Sequence, residues 1–587
     1  MKLISLPKKL SFQKAKLSFV LFGIVVGAFF IRAYRVTFVP PSLSWDEVSI
    51  GYNAYSILKT GRDEHGRFLP LDAFVGYGDY KPPVAVYLTV PFVAIFGLSE
   101  LAVRLPSVIG GTLAVLLTYF LVIELYKGYN NYKDYNRYIA LLSALLLAIS
   151  PWHLQLSRAG WEANIALTIL LSGVLLVLRS REHPRLLTVC WIPFVLAMYT
   201  FNSARYVAPL LGLLFLFLVR RDMLAHKRFA VIGMAIALLS LAPLVPHLVS
   251  PEARLRFAEV NIFSDLSIVE KANERMAMDG GGLLANILHN RRVGFAIEYL
   301  KHFFDHFQPW FLFIRGDGNP KFSLQDVGQL YLIEAPFLIY GIYRLFTTDV
   351  KLAWTLIFWL IFAILPAAVA RETPHALRIE NSLPVWQIVI AYGIVTSLSL
   401  SSRPMSSPRV RFGEAGRDPE KEGWIPGQAR NDNRRTNMLL TASLVGFLYL
   451  GSFSYFWHNY FNHYVKEYSS EWQYGYKQAV AEMQKFEGSY NNVVVSEAYG
   501  RSYMYTLFFT RTDPSSYLKS KKSTFDAAGF YHVFGFGKYR FPDRGIGSFD
   551  QNTLYIGLPV EAPGGARVLA TINRPNGEPA FVIFDRP

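Results

Sequence analysis

A single cysteine, Cys190, stands in 587 residues, inside an apolar block. No disulfide and no cysteine-based metal site can form within the chain, and Cys190 reads as a small core residue. Charge is also sparse, with Asp, Glu, Lys and Arg together making 17% of the residues. There is no P-loop, no GxGxxG after a strand, no HExxH and no zinc-ligand spacing. A cytoplasmic nucleotide site is therefore missing, which argues against an ATP-driven pump.

What the chain has in quantity is apolar: 52% of residues are hydrophobic and 15% aromatic. They come in long blocks, each approaching the roughly 20 residues that a bilayer-spanning helix needs. The net charge of +16 does not point to nucleic acid, which needs a basic face on a soluble domain. Here the basic residues sit mostly in short connectors on alternate sides of the apolar blocks, the pattern of the positive-inside rule. Lys2, Lys8, Lys9, Lys14 and Lys16 precede the apolar stretch Leu17–Ile31, with no small-x-small cleavage site after it. This predicts an uncleaved first span with its N-terminus in the cytoplasm.

The expected architecture is an all-α polytopic membrane domain over 1–460, followed by a small extracytoplasmic α/β domain over 461–587. Eleven spans are predicted, at 17–37, 101–126, 138–152, 162–178, 186–200, 204–219, 229–248, 329–346, 352–369, 383–400 and 437–456. A first outer loop (38–100) carries amphipathic pieces at 47–59 and 83–97, and a long outer loop fills 249–328. Residues 401–436, rich in Ser, Pro, Gly and mixed charge, read as a flexible cytoplasmic loop. Asn492–Ser496, Thr553–Leu558 and Ala580–Phe584 read as strands, with helices at 471–486 and 499–509. Arg32 and Arg35 break the charge rule on the outer side of the first span, where they either meet lipid phosphates or snorkel.

Sorted by side, the uncommon polar residues converge on the outer face: Asp46, Glu47, Asp79, Lys81, Arg158, Glu162, Arg205, Asp317, Lys321, His375 and Arg378. Ionisable groups near membrane depth are costly and often functional. Asp46 and Glu47 follow Trp45; one carboxylate can take a proton from a hydroxyl while the other positions a partner or a cation. The same pair also fits the first turn of a helix, where acids favour the macrodipole. Lys81 precedes Pro82 and Pro83, so a helix is expected to begin there, and a lysine beside a helix N-terminus suits a phosphate. A lysine snorkelling to headgroups explains it equally well. Thr373–Arg378 reads as an N-cap, a first-turn proline and a helix start, placing His375 and Arg378 on one face at its positive end. Arg158 and Glu162, four residues apart, are expected to pair with each other.

Trp45-Asp46-Glu47 after the first span, then Gly78-Asp79-Tyr80-Lys81-Pro82-Pro83 about thirty residues on, resembles the lipid-linked-sugar glycosyltransferases of the GT-C fold. The resemblance is to the protein O-mannosyltransferase-like family, which includes the lipid A aminoarabinose transferases. Leu98–Gly110, Ser157–Asn164, Tyr199–Pro209 and Pro374–Ile379 look like that family too, so the likeness spans roughly 18–400. It implies an inverting transfer from a polyprenyl-phosphate sugar to a hydroxyl of a protein, lipid or glycan on the outer face of the inner membrane. It implies catalytic Asp46 and Glu47, and donor-phosphate binding by Lys81, Arg158, Arg205, His375 and Arg378. Asp79 and Tyr80 fall where the acceptor or a cation is positioned; Tyr80 stands where the aminoarabinose transferases have a glutamate. No nucleotide is needed, a divalent cation is left open, and membrane lipids are the other partner. A transporter or lipid flippase is the competing class. It predicts charges buried in mid-span and symmetry between halves, and the sequence shows neither.

Overall fold

The computed structural model describes residues 8–127, 135–250, 260–400, 427–526, 529–543 and 545–586. Most of the predicted loop 401–436, from 401 to 426, lies outside the described residues. Among those described, seven helices are long and apolar enough to cross a membrane, or eight if the bent pair Asn136–Ile149 and Pro151–Arg158 counts as one span. The seven are Lys16–Ala33, Glu100–Tyr126, Glu162–Arg179, Lys227–Leu248, Val350–Val369, Glu380–Leu398 and Met438–Glu467. The other three predicted spans are also helices, but less suited to crossing alone. Ile192–Met198 is short, Glu334–Thr348 has 15 residues, and Ala204–Ala225 carries Arg205, Arg220, Arg221 and Asp222.

The helices that position the site are α1 (Lys8–Ala33), α2 (Trp45–Thr60), α3 (Val84–Phe96), α4 (Glu100–Tyr126), α5 (Asn136–Ile149), α6 (Pro151–Arg158), α7 (Glu162–Arg179), α8 (Ile192–Met198), α9 (Ala204–Ala225) and α10 (Lys227–Leu241). Apolar side chains on the outside of the bundle, such as Phe19, Leu239 and Phe447, are more than two-thirds exposed, as they are where lipid tails are the solvent. Small residues let helix backbones approach, the usual device where lipid removes the hydrophobic drive between helices. A methyl group on Gly341 would lie 2.2 Å from the Val389 carbonyl, and one on Gly393 would lie 2.1 Å from that of Phe337. Alanine at either position would push apart the helices Glu334–Thr348 and Val385–Leu400.

The C-terminal part is a mixed sheet with strand order β4-β5-β6-β3-β7-β9-β8. β3 (Asn492–Val495), β7 (Thr553–Gly557) and β9 (Pro579–Asp585) are the strands expected from sequence. β4 (Lys522–Phe525), β5 (Tyr531–Phe536), β6 (Tyr539–Arg540) and β8 (Arg567–Asn573) are additional. β3 runs parallel to β6 and β7, and the remaining pairs are antiparallel. The chain boundary near 460 is not a packing boundary. Leu43, Val48, Tyr52, Tyr77, Leu98 and Val103 of the outer loop and α4 share one apolar core with Tyr476, Tyr503, Phe508 and Tyr531. The sheet domain thus clamps the first outer loop against the bundle.

A candidate active site at the head of the bundle

The chain leaves α1 at Ala33 and enters α2 at Trp45. Ser44 caps α2: its hydroxyl accepts from the Glu47 amide, and its own amide donates to Glu47 Oε2 at 2.9 Å. This capping box places Asp46 in the first helical turn.

Glu47 is fully buried and its carboxylate is engaged on all sides. Oε1 accepts from Arg104 Nε at 2.8 Å and from the Gly160 amide at 2.9 Å. Arg104 in turn donates to the carbonyls of Val36, Pro40 and Ser42. The pair therefore fixes the shape of the turn that presents Asp46, and no acceptor capacity remains on Glu47 for a substrate. The expectation of two catalytic carboxylates does not fit this geometry, in which Glu47 holds the turn.

Arg158 is likewise corrected. It does not pair with Glu162, and it does not reach the site. Its two terminal nitrogens donate to the carbonyls of Ile31, Arg32, Tyr34 and Val39 at 2.7–2.9 Å. These include carbonyls at the end of α1, which lack helical partners. Arg32 is fully buried and donates to the Leu147 and Ala148 carbonyls and to the His153 ring, so it neither meets lipid phosphate nor snorkels.

A short hairpin supplies the opposite wall. β1 (Phe74–Gly76) pairs with β2 (Asp79–Lys81) through the turn Tyr77-Gly78, both at positive φ. That geometry suits a two-residue hairpin and needs glycine or a tolerant residue. A Cβ on Gly78 would sit 2.5 Å from the Gly529 carbonyl, so the sheet domain seats directly on the turn. α3 then begins at Val84, one residue later than expected, with its amide donating to the Tyr199 carbonyl.

Lys81 Nζ lies 2.9 Å from Asp46 Oδ1, 3.5 Å from Asp79 Oδ2 and 3.8 Å from Glu162 Oε1. Three residue stretches far apart in sequence therefore converge on one ammonium. Burial opposes its charge, but the carboxylates of Asp46, Glu162 and Asp79 outweigh that and hold it above the ordinary lysine value. The Asp46 and Asp79 side chains keep about a fifth of their surface open, at 21% and 23%. Around the Lys81 ammonium three carboxylates gather, and that of Asp46 is accessible. Beside it, Arg205 Nη1 meets His247 at 3.4 Å, and the His247 ring packs 5.8 Å from Tyr80. Arg205 Nη2 is buried with no hydrogen-bond partner among the described residues.

The Thr373–Arg378 stretch is a turn, not a helix start. Its amides are taken by side chains from the long outer loop: His375 N–H donates to His306 Nε2 at 3.2 Å, and Ala376 N–H to Asp317 Oδ2 at 2.6 Å. Local capping logic lost to these tertiary acceptors, so His375 and Arg378 have no helix dipole beneath them. Burial, with Arg378 and His306 adding to it, drives the His375 ring well below the usual histidine range. Arg378 stays at the head, its carbonyl accepting from Ser203 beside α9. Glu162 and Lys321 line or approach the site although sequence spacing did not mark them for it. Only their predicted outer side did. Among the described residues, no group of three or more His, Cys, Asp or Glu side chains is arranged to hold a metal ion.

Residues 80–247 match the family model of the dolichyl-phosphate-mannose-protein mannosyltransferases. No curated protein matches the sequence. Among solved structures, ArnT from Cupriavidus metallidurans bound to undecaprenyl phosphate is 12% identical over 97% of each chain, with a TM-score of 0.51. Its apo state is 12% identical over 97% of this chain and 98% of that one, at 0.48. The oligosaccharyltransferase AglB from Archaeoglobus fulgidus, with an inhibitory peptide and a dolichol-phosphate, is 14% identical over 85% of this chain and 64% of that one, at 0.48. The chain thus has the GT-C fold seen in ArnT and, from 80 to 247, the sequence pattern of the protein mannosyltransferase family.

Proposed function

We propose that this multi-pass membrane protein transfers a sugar from a polyprenyl-phosphate donor to an acceptor hydroxyl, with inversion, on the extracytoplasmic side of the inner membrane. The observation that carries the reading is the accessible Asp46 carboxylate held by Lys81 in the first helical turn behind the outer loop. Asp46 is the general base: it takes the proton as the hydroxyl oxygen bonds to the anomeric carbon. The bond from that carbon to the phosphate oxygen breaks, and the electron pair leaves with the phosphate. A general base of this kind contributes about 10²–10⁴-fold. Lys81 orients Asp46. We assign Arg205 and Arg378 to the charge that grows on the leaving group, which fixed cations stabilise most in a water-poor site. Asp79 and Tyr80 border the same space and bear on acceptor choice. ArnT's structure was solved with undecaprenyl phosphate, and a lipid phosphate of that kind is the donor class we assign here. Mannose-like and aminoarabinose-like sugars both fit this chemistry.

Purified protein in lipid nanodiscs, given polyprenyl-phosphate sugars and membrane extracts as acceptors, is expected to release free polyprenyl phosphate and yield an inverted glycoside detectable by mass spectrometry. No release with any such donor would contradict the reading. Protease added to right-side-out spheroplasts is expected to cut the sheet domain. Cleavage only in inverted vesicles would reverse the orientation.

A further inference from the structure

Lys321 belongs to the long outer loop, far in sequence from Asp46, and its side chain is 7% exposed. Its ammonium sits 4.2 Å above the Trp45 ring, next to Asp46 in the chain. Among the described residues its side chain forms no hydrogen bond and no ion pair, and its contact is that aromatic face. Burial pulls it below the ordinary lysine value, and the fields of Asp46, Glu471 and Glu47 pull it back. An ammonium in so closed a position has three donors that an incoming anion can meet. Lys81, by contrast, has the Asp46 carboxylate at 2.9 Å and those of Asp79 and Glu162 at 3.5 and 3.8 Å.

The loop is built to hold Lys321 still. The preceding carbonyl, Pro320, accepts from Tyr464 Oη at 2.7 Å and from Gln155 Nε2 at 3.0 Å. The following ring, Phe322, packs 5.4 Å from Trp161 and 4.9 Å from His375. The backbone amide of Lys321 donates to Asn319 Oδ1 at 3.0 Å. A cation fixed by its neighbours on both sides, yet lacking an anion, is preorganised for one that arrives with a ligand.

We propose that Lys321 is a ligand of the donor's phosphate, stacked on Trp45 and facing the base. The assignment rests on the transferase reading above and adds Lys321 to Arg205 and Arg378 as a contact of the phosphate. Lys81 then serves to position Asp46.

The test is binding of undecaprenyl phosphate, with undecaprenol as the uncharged control, to the full chain in nanodiscs. Wild type is expected to prefer the phosphate. Lys321→Met is expected to weaken phosphate binding by about tenfold or more, the effect of losing one charge-assisted hydrogen bond, and to leave undecaprenol binding unchanged. Lys321→Arg should recover most of the preference. A second measurement needs no variant: in wild type, undecaprenyl phosphate should shield Lys321 from acetylation and undecaprenol should not. Wild-type phosphate affinity in a folded Lys321→Met protein, or Lys321 labelling indifferent to the phosphate, overturns the assignment while leaving the transferase reading intact. Equal binding of phosphate and alcohol by wild type overturns both.

Discussion

Two groups of buried cations stand side by side at the head of this molecule and serve opposite ends. Arg32, Arg104 and Arg158 are fully or almost fully buried and donate chiefly to backbone carbonyls, Arg32 to those at the end of α5 and Arg104 and Arg158 to those at the end of α1 and in the turn before α2. Lys81 has side-chain carboxylates for partners, and two of them, Asp46 and Asp79, remain partly open to solvent. An arginine bonded to backbone closes a fold, because those carbonyls have nowhere else to turn. A lysine bonded to carboxylates poises them. Burial and charge are common to both groups; the backbone acceptors of the arginines and the open carboxylates of the lysine separate them.

This contrast predicts that the two groups fail differently when broken. The largest effect is expected for Arg104→Met, which leaves Glu47 buried without its counter-charge and the Val36, Pro40 and Ser42 carbonyls without a donor. Removing one partner of a buried pair costs about 3–5 kcal/mol, so the variant should show sharply lowered thermal stability in detergent and poor recovery from membranes. A variant as stable as wild type would erase the distinction. Lys81→Met should fold, because Asp46 and Asp79 reach solvent, but lose about tenfold or more in turnover. Without the ammonium, Asp46, Asp79 and Glu162 repel one another, so the acid limb of its rate–pH profile should move to higher pH. An unmoved profile would take Lys81 out of the reacting group.

The smallest effect concerns the seam between the outer loop and the sheet domain. Glu64 is 1% exposed and accepts from Asn53 Nδ2 at 3.3 Å and Tyr503 Oη at 3.5 Å. Burial, with Asp63 adding to it, pushes its carboxyl up to about 8. The folded state therefore holds this proton more tightly than the unfolded one. Its contribution to stability is present below the ordinary glutamate range and is lost as pH rises to about 8. Glu64→Gln should flatten the fall in melting temperature between acid and alkaline buffer; an unchanged slope would place the titration elsewhere.

Much of the fold was legible in the sequence. Spans and strands announce themselves by runs and alternation, which are local properties, and β3, β7 and β9 fall where the apolar runs predicted them. Asp46 and Lys81 were legible as residues of interest through the family pattern. What each arginine does was not, because its acceptors lie far away in the chain: Arg158 meets carbonyls between residues 31 and 39. The turn at Thr373–Arg378 was misread for the same reason, its amides being claimed by His306 and Asp317. Glu162 could be placed on the outer face but not beside Lys81, since nothing in the spacing brings α7 to the hairpin. Lys321 gave no sequence signal beyond its side.

The adjacent pair Asp46 and Glu47 tests the account most directly, because one residue is assigned to the reaction and its neighbour to the frame. The decisive measurement is turnover and melting temperature together for Asp46→Asn and Glu47→Gln, in the same nanodisc preparation with a polyprenyl-phosphate sugar. Asp46→Asn should melt near wild type and lose about 10²-fold or more in rate. Glu47→Gln should melt lower and, in the folded fraction, keep most of its rate. A normally folded Asp46→Asn protein turning over at the wild-type rate would contradict the account.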